Sequence, residues 1–179
     1  MSVILHFASD TPLAARPNPH ERLLSVNEAL AAGVTDIPAF MLEDGFDRDQ
    51  PDVILCCDRE IHIDVDHNTI EDGGYDDDFS VSPTEWMWGM ASKKAYFAIL
   101  DWTEYTPGRA QQVITYIQDH LRHTPELELW HLWLDTEEPH RLQKVVIPIG
   151  ELTAEDILEL TQTDVTRAPM TDYCYRIVR

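Results

Sequence analysis

The apolar positions of this chain change their period several times, and each change marks an element. Residues 95–105 concentrate aromatic and aliphatic side chains and predict a strand. Thr106 then stands where an N-cap belongs, with Pro107 at the first helical position, where its missing N–H costs nothing. Ala110, Val113, Ile114, Ile117 and Leu121 recur at helical spacing and predict one buried stripe. His120, Arg122 and His123 fall in the last turn, where cations favour the negative end of the helix dipole. Residues 126–134 are apolar on both faces, as a central strand would be. A turn over 136–140 leads to a strand at 141–149, with Pro148 placed at a strand end, where no donor is needed. Thr153 and Asp156 form a capping box ahead of Ile157, Leu158 and Leu160, and 172–179 closes as a strand.

That order is strand, helix, strand, strand, helix, strand. It predicts a ferredoxin-like subdomain over 91–179: one antiparallel sheet with two helices on one face. The remainder, 1–90, reads as a smaller, acidic α+β subdomain. Residues 2–9 predict a strand. Asn18, Pro19 and Glu21 predict a helix start, with Leu23, Val26 and Leu30 on its apolar face and Gly33 as its stop. Residues 52–57 and 60–66 predict a hairpin about Asp58 and Arg59, and 72–78 an exposed loop. No Gly/Ser tract or proline run separates the halves, so one continuous α+β domain fits as well as two subdomains meeting near residue 90.

Charge changes the picture more than any motif. Residues 43–78 hold 14 of the chain's 33 acidic residues against two arginines, within a formal net charge of −20. Such a surface repels nucleic acid and anionic lipid and attracts cations, whether metal ions or basic proteins. Lysine is scarce: Lys93, Lys94 and Lys144 against ten arginines. An acidic, lysine-poor surface is also what high-salt adaptation or plain solubility would produce. At 179 residues the chain buries roughly 70% of its unfolded surface, so no disulfide or metal is required for folding. Three cysteines, two of them the adjacent Cys56 and Cys57, make a poor disulfide framework and fit a reducing cytoplasm. No run of 18 apolar residues and no signal-peptide pattern is present, so neither a membrane span nor export is expected.

The densest chemistry is in 60–78. On a strand over 60–66, His62, Asp64 and Asp66 would share one face, with His67 next in sequence. Carboxylates and imidazoles together suit a divalent cation. The segment fails as an EF-hand loop, with Thr69 where glycine and Tyr75 where glutamate should stand. Asp64 to Asn68 is similar to the Asp-His-His phosphoesterase motif over five residues, but Asn68 replaces the second histidine and that family's other acidic motifs are missing. No G-x-S-x-G elbow, H-E-x-x-H or phosphate-binding glycine loop occurs. Cys56 or Cys57 is expected to point into the core, and His131 to be a hydrogen-bonded core histidine.

Two readings follow. The first is a non-catalytic binding or immunity-like inhibitory module, in which Trp86, Trp88, Asp76, Asp77 and Asp78 meet a basic partner. It needs no cofactor, and a homodimer through a sheet edge is compatible with it. The alternative is a divalent-metal protein or metal-assisted hydrolase with His62, Asp64, Asp66 and His67 as ligands.

Overall fold

The computed structural model describes residues 3–58, 62–64, 69–71, 74–87, 92–102, 104–134, 141–161 and 171–179. The strands are β1 (Val3–Ser9), β2 (Glu21–Leu24), β3 (Ile54–Cys57), β4 (His62–Asp64), β5 (Thr69–Glu71), β6 (Ser80–Thr84), β7 (Tyr96–Asp101), β8 (Glu126–Trp133), β9 (Arg141–Pro148) and β10 (Thr171–Val178). The helices are α1 (Val26–Ala31), α2 (Pro107–Leu121) and α3 (Ala154–Thr161). Contacts divide the chain into two compact units, 1–18 with 74–179 and 19–73. The divisions between these units lie near residues 18 and 73.

In the larger unit six strands form one sheet in the order β6-β7-β1-β8-β10-β9. The protein is mixed α+β, as expected, but the strand pairing differs from the ferredoxin-like one. β7 and β8 are both antiparallel to β1, which lies between them. β7–α2–β8 is thus a split crossover, filled by the N-terminal strand and not by β9. β10 pairs antiparallel with β8 and parallel with β9, so the sheet is mixed. A helical crossover returns the chain parallel to the strand it left, and β9–α3–β10 does so with no strand between. β1 takes the central place because it is apolar on both faces: Leu5, Phe7 and Ala8 are all buried.

One face of the sheet carries both helices. Leu5, Phe7, Leu129 and Ile177 pack there against Val113, Ile114, Ile117 and Leu121 of α2 and Ile157 and Leu160 of α3. Each such side chain, fully buried, contributes about 1.5–3 kcal/mol. The caps read from sequence are present. The Thr106 hydroxyl accepts from the Arg109 amide at 3.0 Å, and Thr153 and Asp156 exchange both capping-box bonds. The opposite face carries a smaller cluster of Ala8, Met87, Trp130, Leu132 and Cys174.

The smaller unit has its own core, with Val26, Ala29 and Ile54 buried and Leu24, Ile37, Met41 and Phe46 packed against them. Its helix begins later than predicted. Glu21–Leu24 is a strand paired with β3, and α1 starts at the capping box of Ser25 and Glu28. It ends at Gly33, whose φ of +81° suits glycine. The predicted hairpin about Asp58 and Arg59 is not the pairing found: β3 joins β2, and β4 joins β5.

Candidate functional site

The acidic residues divide unevenly between the units. Residues 19–73 hold 14 of them against three arginines. Glu43, Asp44, Asp47, Asp49 and Asp52 are exposed along the segment between α1 and β3. Its course is set locally. The Asn27 amide donates to Asp49 at 2.7 Å, Asp47 accepts from the Asp49 backbone, and the Arg48 guanidinium donates to the Leu42 carbonyl. Asp58 is paired with Arg22 at 2.8 Å, and that guanidinium holds its carboxyl below the ordinary aspartate value. Large apolar side chains stand exposed in the same unit. Leu23 and Leu55 are cross-strand partners on β2 and β3, each 56% exposed, and Phe40 is 59% exposed.

The aspartates of 76–78 have structural duties. Asp78 is buried, accepts from the Asn18 amide at 2.6 Å and lies 3.7 Å from the buried Arg109. It is closed to a partner, contrary to expectation, because its charge serves as counter-ion inside the fold. Asp76 is exposed at the N-terminus of α2, where the Thr106 hydroxyl reaches it at 3.4 Å. A Cβ on Gly108 would overlap that carboxylate, so glycine makes room for it. The Asp77 carbonyl accepts from Arg16. Trp86 is 51% exposed with its ring edge-on to His6 at 6.3 Å, while its neighbour Met87 is buried. Trp88 lies outside the described residues.

For the metal reading, His62 and Asp64 lie on β4, opposite Glu71 and Thr69 of β5. Asp66 and His67 lie outside the described residues. Among the described residues no three His, Cys, Asp or Glu side chains converge at coordination distance. Neither Cys56 nor Cys57 is buried; Cys174 is.

Two polar clusters were not singled out by the sequence. Ser9 Oγ at the end of β1 lies 2.8 Å from His120 Nε2 in the last turn of α2, with Thr11 Oγ1 at 3.3 Å. In a cleft this would pair a nucleophile with a base. Here Ser9 is wholly buried, and burial, with His123 nearby, holds His120 below its ordinary value. The contact ties strand to helix.

The second cluster is a groove of about 500 Å³ on the sheet face opposite the helices, and all three lysines line it. The register assembles it. Trp130, Cys174 and Lys144 are successive cross-strand neighbours on β8, β10 and β9, as are Glu128, Arg176 and Val146 one step along. Lys94 bridges Asp10 at 2.6 Å and Glu126 at 2.5 Å. Burial alone would lower its ammonium, but these two bonds outweigh burial and hold it above its usual range. Its hydrogen bonds from Lys94 and Arg176 hold Glu126 below the ordinary carboxylate range. Glu128 accepts from the Trp130 indole at 2.9 Å and from the Ser92 hydroxyl. Burial, reinforced by Glu128, pushes the Cys174 thiol up to about 12. The signal for this groove was in the sequence: three lysines, and the alternation of Lys144 with Val146 and of Cys174 with Arg176.

No protein-family model, curated protein or solved structure matches this chain.

Proposed function

We propose that this chain is a non-catalytic binding module whose acidic unit, residues 19–73, captures a basic protein. The observation that carries the reading is the coincidence, in that unit, of 14 acidic residues with exposed apolar side chains at Leu23, Leu55 and Phe40. Acidic groups around apolar anchors are the composition of a protein interface: the anchors supply affinity, and the charges steer the approach and exclude wrong partners. Charge kept only for solubility would not call for bare leucines beside it. The immunity-like form of the function is an inhibitor that covers the cationic surface of a nuclease.

The test is titration calorimetry of the full chain against a panel of folded basic proteins of matched net charge, basic nucleases included. The reading expects one member to bind far more tightly than its charge-matched peers. It also expects Leu23→Ser with Leu55→Ser to weaken that binding by about 2 kcal/mol or more. Uniformly weak binding across the panel, untouched by the leucine changes, would overturn it.

A further inference from the structure

We propose that the lysine-lined groove of the larger unit is a binding site for a small organic anion carrying carboxylate or phosphate groups. It rests on residues outside the acidic unit and goes beyond protein capture. In a chain of net charge −20, every lysine and one arginine come to this one groove from three separate places: the segment before β7, β9 and β10.

What decides the sign of the ligand is which charges are already committed. Glu126 takes Lys94 on one oxygen and Arg176 on the other. Asp10 is paired with Lys94, and Glu128 is held on one oxygen by the uncharged donors Trp130 and Ser92, which orient it without neutralising it. Lys94 and Arg176 are consumed in return. Lys93 and Lys144 are not: both are exposed, and neither has a carboxylate within ion-pair distance among the described residues. The Lys144 ammonium instead stands over the Trp130 indole, 4.8 Å from its centre, which orients it without neutralising it. The groove therefore offers two uncommitted ammoniums in a lining where four cations outnumber three carboxylates, beside the exposed side chain of Val146. Its size is that of a small-molecule site. The Cys174 thiol is fully buried, so the groove binds without a covalent step.

A lysine on an edge strand also discourages the addition of further strands. That role would account for Lys144 on β9, but it makes no demand on Lys93, Lys94 or Arg176, which come from other elements.

The experiment is titration of the full chain with citrate and, separately, inorganic pyrophosphate, against sodium chloride at matched ionic strength. The two anions distinguish a carboxylate from a phosphate ligand. Variants are Lys93→Gln, Lys144→Gln and, as a control of equal charge change, Arg122→Gln at an exposed site on the end of α2. Both lysines are exposed, so their loss leaves the core intact. Saturable binding of either anion is expected, weakened about tenfold by each lysine change, as loss of a charge-assisted hydrogen bond implies, and unchanged in Arg122→Gln. Binding no tighter than about 1 mM for both anions, or equal losses in all three variants, would overturn the proposal.

Discussion

Arg109 and Asp78 face each other out of reach of solvent, 3.7 Å apart, in a protein with a large excess of exposed acids. The arginine also donates to the carbonyls of Tyr75 and Glu104, and the aspartate accepts from Asn18. The pair thereby fixes the return of the chain at 74–78 against the first turn of α2. Removing one member leaves a buried charge without its counter-ion. Asp78→Ala and Arg109→Met are each expected to cost about 3–5 kcal/mol, and the double variant less than the sum. Urea unfolding of the three variants checks this.

Asp76 illustrates a cheaper use of charge. Its carboxylate lies at the positive end of α2, beside Thr106 and over Gly108. Asp76→Asn should lower stability by about 0.3–1 kcal/mol, and less at high salt. If Asp76 served only a partner, its loss would leave unfolding unchanged and reduce binding alone.

The core prediction concerns the seam between sheet and helices. Ile117 is wholly buried in the middle of α2, and Ile117→Ala should cost about 2–5 kcal/mol through lost burial and the cavity left behind. Chemical denaturation measures the change directly.

Buried histidines set the pH dependence. His6 on β1 and His131 on β8 are closed off, and among the described residues no ring nitrogen of either meets a hydrogen-bond partner of normal geometry. Burial lowers both, opposed by the Ala98 backbone for His6 and chiefly by Asp172 for His131. The unfolded chain takes up protons at these positions below its ordinary value of 6.5, while the folded chain stays neutral to lower pH. Their contribution is therefore complete above 6.5 and is lost as pH falls, at up to about 1.4 kcal/mol per histidine per pH unit until the folded pKa is reached. Urea midpoints at about pH 7.5, 6.5 and 5.5 should fall in that order. His6→Leu with His131→Leu should flatten the trend.

The parts of the fold that sequence made legible are those where local chemistry and packing agree. The start and buried face of α2 were readable because its cap, its proline and its apolar stripe all specify the same helix; it ends earlier than expected, at Leu121, with Arg122 as C-cap and His123 beyond it. β8 was readable because its second half, Leu129 to Trp133, is buried on both faces. The pairing of strands was not legible. β1 inserts between β7, about 90 residues away, and β8, about 125 away, and such long-range contacts leave no periodic mark on the intervening chain. β6 was missed because Ser80, Ser82 and Pro83 are poor strand formers, tolerated at an edge. Asp78 reads as surface because it closes a run of three aspartates behind a glycine-rich turn. Nothing local to it reveals Arg109, 31 positions on.

The most direct test of the account is the rate of association with the basic protein selected by the panel, compared between two variants of equal charge change. One carries Asp44→Asn, Asp47→Asn and Asp49→Asn in the acidic unit; the other carries Glu151→Gln, Glu155→Gln and Glu159→Gln, exposed residues of the larger unit. Steering by a local acidic surface predicts that the first variant associates about tenfold more slowly at low salt. The second should stay close to the parent chain, and added salt should erase the difference. Equal slowing in both variants would mean that net charge alone governs the encounter, and capture by residues 19–73 would be contradicted.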